Sequence, residues 1–581
     1  MTTILGLSCF YHDSAACLLR DGEIIAAAHE DRFTRKKHDS AYPHNAISFC
    51  LNHAGITSKD LDTVAYYEKP FIKFDRILST HLSQAPFSLT SFLKSMPIWI
   101  KEKLWISALI QEKLSYKGKI IFPEHHEAHA ASSFFCSPFE EAAIMTLDGV
   151  GEWSTATVGY GQGNKIVLQK EIQFPHSLGL LYSAFTYFLG FKVNSAEYKV
   201  MGLAPYGKPK YTDLIKTDLI EIKEDGSFKL NLKYFSYTYG LKMINSKFGK
   251  LFNRKPRKPE ERLTQDDFDI AASIQKVTEE VVVKIAKSIR KETGMKNLCL
   301  AGGVALNCVA NGKVLREAGY ENIFIQPAAG DAGGAVGAAT FAYYSILNQE
   351  KNRKTMPHPF LGPSFSDEEI EKELMQCNAV YEKLPQNELI QKTAHYIADQ
   401  KVIGWFQGRA EFGPRALGGR SILADPRNKE MKDTVNLKIK FRESFRPFAP
   451  TVLADHVQDY FELPQESPYM LLTAQVREDK RVIPSVTHVD GSARVQTIKR
   501  EDHPLYYDLI QEFHKLTGVP IIINTSFNVR GEPIVGSPHD AFKCFMGTHM
   551  DTLIIGNFLL EKKKQKNVKE FKNYHQAFPL D

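Results

Sequence analysis

No C-x-x-C pair occurs among the eight cysteines, which are Cys9, Cys17, Cys50, Cys136, Cys299, Cys308, Cys377 and Cys544. A thiolate-rich zinc module or a dithiol redox centre is not expected, and the mostly apolar surroundings of these residues read as reduced, buried thiols. Long apolar runs are missing too. The stretch from Ile98 to Ile110 is broken by Lys101 and Lys103, so no membrane span is expected. The first residues, Met1-Thr2-Thr3-Ile4-Leu5-Gly6-Leu7, lack a basic leader and read as the start of a strand, which makes the cytoplasm the expected compartment. A strong charge of one sign is also absent. The net +6 is spread over 581 residues and includes the run Lys562-Lys563-Lys564-Gln565-Lys566. That balance argues against a nucleic-acid or membrane partner, and the run reads as a solvated tail.

What is present is enough chain for several structural units. Two segments share one pattern of three short apolar runs joined by turns. The first runs from Ile4 to Ala27, with turns at His12-Asp13-Ser14 and Asp21-Gly22; the second runs from Ala143 to Leu168, with turns at Asp148-Gly149-Val150-Gly151 and Gly163-Asn164. Each reads as a β-meander, and the repetition points to an internal duplication. Helical patterns follow, including Asp267 to Lys291, where Ile270, Ile274, Val277, Val281 and Ile285 share a face. A buried strand at 298–301 enters the glycine turn at Gly302 and Gly303, and a second glycine turn at Gly330-Asp331 enters a small-residue helix. Both turns suit close approach of a nucleotide. The polar stretch 348–363, with Lys351, Arg353, Lys354 and three prolines, precedes a new helix start at Ser366-Asp367-Glu368-Glu369. This places a boundary there, giving an α/β unit over 1–350, a linker over 351–365 and a second α/β unit over 366–581.

The chemistry-bearing residues fall into four groups. Arg409, Arg415, Arg420, Arg427, Lys440, Arg442 and Arg446 are interleaved with glycine, proline and apolar residues, a pattern suited to a bound polyanion, with some left to brace Glu411, Asp425 or Glu443. His125 and His129 are four apart on one predicted helix face, and Asp148 and Asp331 in the glycine turns complete a metal shell. His12, in the first meander's turn beside Asp13, is a candidate general base. Asn524 and Ser526 follow the apolar run 519–523, where polar groups commonly meet ligands. Gly202 to Lys208 imitates a P-loop, but Pro209 replaces the magnesium-binding hydroxyl and no clear strand precedes it, so a Walker A site is rejected.

Taken together, His12-Asp13-Ser14-Ala15-Ala16, His125-His126-Glu127-Ala128-His129-Ala130, Asp148-Gly149-Val150-Gly151-Glu152-Trp153, Glu197-Tyr198-Lys199-Val200-Met201-Gly202 and the arginine stretch resemble the ATP-dependent O-carbamoyltransferases of nodulation-factor and antibiotic biosynthesis. The resemblance covers nearly the whole chain. It implies a duplicated actin-like (ASKHA) ATPase domain followed by a YrdC-like α/β domain. It implies that carbamoyl phosphate and ATP, the latter with Mg2+, form carbamoyl-adenylate on the second domain through Arg415, Lys440 and Arg446, with Asn524 and Ser526 alongside. It further implies a divalent metal, Fe2+ ahead of Mn2+ or Zn2+, on His125, His129, Asp148 and Asp331; a nucleotide along Gly302, Gly303 and Asn307; and His12 deprotonating the hydroxyl of a small metabolite. A homodimer is the default expectation. The competing readings are a tRNA threonylcarbamoyl-type transferase, a non-catalytic nucleotide-binding scaffold and a sugar kinase.

Overall fold

A computed structural model of the protein describes residues 1–352, 354–566, 568–571 and 573–579; Arg353 of the basic stretch and the last two residues of the chain lie outside them. The chain divides into two compact units. One comprises Met1–Glu30 with Ser40–Pro357, the other Asp31–Asp39 with His358–Asp581.

The N-terminal unit is built on two five-stranded sheets. Strands β1 (Thr3–Ser8), β2 (Ala15–Arg20) and β3 (Glu23–His29) form the first meander, and β4 (Thr63–Tyr66) and β5 (Lys119–Ile121) extend it in parallel beyond β1. The second sheet repeats the plan. Strands β6 (Glu141–Leu147), β7 (Ser154–Gln162) and β8 (Lys165–Gln173) form the meander; a small separate hairpin, β9 (Ile220–Ile222) and β10 (Phe228–Leu230), intervenes; then β11 (Asn297–Ala301) and β12 (Asn322–Ile325) add in parallel beside β6. The strand orders are β3-β2-β1-β4-β5 and β8-β7-β6-β11-β12, the same topology twice. The long amphipathic helix spans Gln265–Thr293, with Ile270, Ile274, Val277, Val281 and Ile285 all buried as their spacing predicts.

One glycine-rich helix sets the spacing at the centre of this unit. Helix Gly333–Phe341 is almost wholly buried. A Cβ on Gly6 of β1 would lie 1.9 Å from the Ala335 carbonyl oxygen, and one on Gly337 would lie 1.8 Å from that of Ala128. Ala128 belongs to helix His125–Phe134. Glycine at 6 and 337 is therefore what lets strand, glycine helix and histidine helix approach so closely. The false P-loop is helical instead: Glu197–Leu203 leads into a single 3-10 turn, and Gly207 is needed because a Cβ there would meet the Phe268 carbonyl oxygen at 2.0 Å.

The C-terminal unit carries one mixed nine-stranded sheet. Its strands are β13 (Glu382–Lys383), β14 (Ile403–Phe406), β15 (Arg420–Ala424), β16 (Ala449–Leu453), β17 (Leu472–Gln475), β18 (Ser492–Ile498), β19 (Ile521–Ser526), β20 (Thr552–Ile555) and β21 (Phe558–Glu561), in the order β13-β21-β20-β14-β15-β19-β16-β18-β17. The helix predicted at Ser366 spans Asp367–Gln376, with the Ser366 hydroxyl accepting from the Glu369 amide as its cap. Segment Asp31–Asp39 packs in this unit although the chain reaches it before residue 40. Arg35 reaches Glu532 at 2.8 Å and Asp540 at 3.3 Å and donates to the Ile534 and Pro533 carbonyls, while Arg32 donates to the Gly413 carbonyl. Of the lysine run, Lys563, Lys564 and Lys566 are exposed as a solvated run would be, whereas Lys562 is drawn inward. Lys562 follows β21 directly, donates to the Phe545 and Thr548 carbonyls, and lies over the Phe545 ring, while Gln565 is buried. Its apolar stem and the carbonyl ends of the neighbouring helix draw it inward.

Candidate metal centre and arginine loop

His125 opens its helix and His129 stands one turn on, so both imidazoles leave the same face. The Nε2 atoms are 3.0 Å apart, and that of His125 is 3.2 Å from Asp148 Oδ2 and 3.7 Å from Asp331 Oδ1. His129 Nε2 lies 3.8 Å from the same Asp331 oxygen. Asp148 opens the turn after β6 and Asp331 precedes the glycine helix, so the glycine-built packing described above brings the four side chains together. One ligand atom from each lies within 4.8 Å of the others, and all four residues are buried. Metal–nitrogen and metal–oxygen bonds of about 2.1 Å require ligand atoms roughly 3.0–3.5 Å apart, close to the shorter separations here.

The charges show why a cation fits. Burial, helped by the charge of Asp148, pushes the Asp331 carboxyl up, whereas for Asp148 burial is outweighed by the hydrogen bond from His125 and the charges of His129 and His125, leaving it well below the usual carboxylate range. Burial lowers both histidines. Asp148 and Asp331 overcome this at His125 and raise it to about 9, while the His125 charge holds His129 well below its ordinary value. The two facing ring nitrogens lie between two buried carboxylates, and Asp331 Oδ2 has no hydrogen-bond partner. A divalent cation satisfies all four groups at once.

Supporting contacts fix each donor. Asp148 Oδ1 accepts from the Gly303 amide at 2.8 Å, and Glu152 accepts the His125 amide with both oxygens and the Lys69 amide with Oε1. His126 is structural: its Nδ1 meets the Thr146 hydroxyl at 2.6 Å, and burial holds it neutral, down to about 3. Glu152, Glu68 and Lys73 were not singled out in the sequence. Glu152 sits in the Asp148 motif and was legible there; Glu68 and Lys73, a buried ion pair on the far side of His125, carry no local signal.

His12 is placed against the same site. Its Nδ1 is 2.9 Å from Asp13 Oδ2 and its Nε2 is 3.7 Å from Asp331 Oδ2. Burial lowers it, but Asp331 and the hydrogen bond to Asp13 prevail and raise it to about 9. Asp331 therefore faces the metal-type donors with one oxygen and His12 with the other. The glycine turn adjoins them. Gly302 has φ +93, and a Cβ would meet the Leu147 carbonyl at 2.2 Å, so its glycine serves the backbone. Asn307 accepts from the Ala310 amide as a helix cap and exchanges hydrogen bonds with Gln275.

In the C-terminal unit the structure sorts the arginines. Arg420 is fully buried, donates to the carbonyls of Gln407, Gly419, Pro363 and Gly408, and stacks 3.6 Å from the Phe406 ring centroid. Arg427 forks onto Asp425, and Arg409 donates to the Leu361 and Gly362 carbonyls. These three hold loops. Half-buried Arg415 heads a loop pinned from both sides. Glu411 Oε1 accepts the amides of Leu417, Gly419 and Arg420; Asn524, Gln496 and Trp405 donate to the carbonyls of Ala416, Leu417 and Gly418. Asn524 lies inside β19 and is wholly buried, and its Oδ1 accepts no hydrogen bond from a described residue. Two residues on, Ser526 accepts from Lys440. The Lys440 ammonium sits at 2.6–3.2 Å from four oxygens of Ser526 and Asn528. Burial, then the neighbouring charges of Arg442 and Arg446, push it well below the ordinary lysine value. Glu443 lies between Arg446, at 2.7 Å, and Arg530, at 3.7 Å. Strand β19 thus connects the Arg415 loop, through Asn524, to the Lys440 cluster, through Ser526.

Comparison with known proteins matches residues 3–340 to the carbamoyltransferase N-terminus and residues 394–562 to the carbamoyltransferase C-terminus. A Synechocystis sp. protein, uncharacterized protein sll1178, is 52% identical over the full length of both chains. Nodulation protein NolNO of Sinorhizobium fredii is 39% identical across 95% of this chain and 79% of its own, and nodulation protein NolO of Bradyrhizobium diazoefficiens is 41% identical across 76% of this chain and 79% of its own. Among the described residues no helix is long and apolar enough to cross a membrane.

Proposed function

This chain belongs to the carbamoyltransferase family, and from that premise we propose that it activates carbamoyl phosphate with ATP in its C-terminal unit and transfers the carbamoyl group to a hydroxyl of a small metabolite in its N-terminal unit. On this reading the matching strand orders of the two five-stranded sheets make the N-terminal unit a duplicated actin-like domain, and the nine-stranded unit a YrdC-like one. The observation that carries the proposal is the convergence of His125, His129, Asp148 and Asp331 with His12 about a single carboxylate.

In the first step the carbamoyl group becomes joined through oxygen to the α-phosphate of ATP. Pyrophosphate and the phosphate of carbamoyl phosphate leave, and water supplies the balancing oxygen. Arg415, Lys440 and Arg446 bind the phosphates, Lys440 from beside the Ser526–Asn528 turn, and the unmet Oδ1 of Asn524 suits the carbamoyl amide as a donor. In the second step the acceptor oxygen bonds to the carbamoyl carbon as the bond to the adenylate oxygen breaks, releasing AMP. The Gly302–Gly303 turn and Asn307 line the nucleotide. His12 takes the hydroxyl proton; with Asp331 holding a cation, the carboxylate field that raises His12 would be offset. His125, His129, Asp148 and Asp331 would hold that divalent metal, iron(II) by preference, whose chemistry when bound is to polarise an oxygen of the reacting group. The test is mass spectrometry of a panel of hydroxylated metabolites incubated with the protein, carbamoyl phosphate, ATP and metal. A carbamoylated product together with AMP is expected, and a panel with neither would sink the proposal.

A further inference from the structure

Helix Pro70–Ser83 follows Glu68 and turns Lys73 and Arg76, three residues apart, to its buried side. Lys73 is paired with Glu68. Arg76 is 6% exposed, its Nε has no hydrogen-bond partner, and its guanidinium makes no hydrogen bond or ion pair to any described residue. The guanidinium lies over the Phe174 ring, 5.0 Å from its centroid. Other buried arginines differ: Arg32 pairs with Asp31, Arg257 donates to the Leu189 and Glu261 carbonyls, and Arg420 serves four carbonyls. A buried guanidinium without a partner is costly, and a stability-driven sequence would not keep it.

Its surroundings are those of the metal centre. Burial lowers Arg76 to about 10, opposed by the fields of Tyr11, Glu68 and Glu152. Tyr11 packs on His12, ring centroids 4.7 Å apart, and lies beneath the Lys73 ammonium. Glu68 is committed to Lys73, and Glu152 to the amides of Lys69 and His125. Neither carboxylate is left to neutralise Arg76, so its planar fork is available to an oxyanion brought by a ligand. We propose that Arg76 is the docking cation for a phosphate-class oxyanion beside His12 and the histidine–carboxylate centre. The phosphate comes either from a nucleotide, as the two-step reading above supplies, or from free phosphate.

The test uses the full chain carrying Arg415→Ala, which weakens anion binding in the C-terminal unit. Calorimetric titrations with AMP and with inorganic phosphate are compared with and without Arg76→Met. Arg76→Met is expected to weaken the bound ligand roughly 10- to 100-fold, with Arg76→Lys between the two, and to leave the ligand-free melting temperature unchanged or higher. AMP binding at least tenfold tighter than phosphate assigns the site to a nucleotide; equal affinities assign it to free phosphate. Affinities unmoved by Arg76→Met, binding of neither ligand, or a melting temperature several degrees lower in Arg76→Met each overturn the proposal. Absence of pyrophosphate release from carbamoyl phosphate and ATP would remove the two-step reading, while these titrations would still decide Arg76.

Discussion

Replacing Gly337 with alanine should empty the metal centre without a single ligand being touched. The new Cβ would stand 1.8 Å from the Ala128 carbonyl oxygen and 2.6 Å from its carbon. Ordinary contact needs about 3.4 Å, so the glycine and histidine helices must part by about 1.5 Å. The glycine helix cannot retreat, because its opposite face rests on β1 at Gly6, where a Cβ would be only 1.9 Å from the Ala335 carbonyl. The displacement therefore falls on the histidine helix. Ala128 precedes His129, and metal–ligand distances tolerate only about 0.2 Å. The expected result is at least a roughly 100-fold loss of metal affinity, at a stability cost of about 1–3 kcal/mol. Metal analysis after equilibrium dialysis reads the first quantity, and thermal melting with circular dichroism confirms that the fold survives. Gly149→Ala is the control, since a Cβ there meets nothing within 4 Å. A folded Gly337→Ala protein that retains metal like the wild type would refute the argument from close packing.

Three other outcomes follow from named contacts. Chelation should lower the melting temperature of the metal-loaded protein: binding at a hundredfold over the dissociation constant is worth about 2.7 kcal/mol, roughly 5 °C for a unit of this size, and His129→Ala should show no such fall. Glu411→Ala strands three buried amides, so a loss of roughly 3 kcal/mol in chemical denaturation is expected, along with pyrophosphate release, because the Arg415 loop loses its anchor. His503, whose Nδ1 accepts the Tyr506 amide and whose ring meets Phe360, is lowered by burial to about 4. The unfolded chain then binds the extra proton first, so stability should fall as pH drops from about 6.5 to about 4, by roughly 1–3 kcal/mol. Denaturation at several pH values should show a flatter profile for His503→Asn.

The sequence displayed what depends on local period and punctuation. Both meanders, the long helix with its Ile270 to Ile285 face, and the Ser366 cap appear where the pattern puts them, since each is written within one segment. The grouping of His125, His129, Asp148 and Asp331 was legible because the two histidines share a turn and the two aspartates sit in glycine turns. Which arginines brace loops was not legible. Arg420 and Arg415 are five residues apart in one motif, yet one is spent on carbonyls of residues 363, 407, 408 and 419 while the other heads the pinned loop. Such contacts depend on which strands become neighbours. The same holds for Arg35, whose partner Glu532 lies nearly 500 residues away, and for Lys562, drawn inward by carbonyls no local pattern reveals.

The central claim is that activation and transfer belong to different units of one carbamoyltransferase. It is tested most directly by pyrophosphate release with carbamoyl phosphate and ATP, measured alongside carbamoyl transfer in His129→Ala and Arg415→Ala. His129→Ala should still release pyrophosphate while transferring nothing, and Arg415→Ala should do neither. Pyrophosphate release that survives in Arg415→Ala, or that vanishes in a folded His129→Ala protein, would contradict that division.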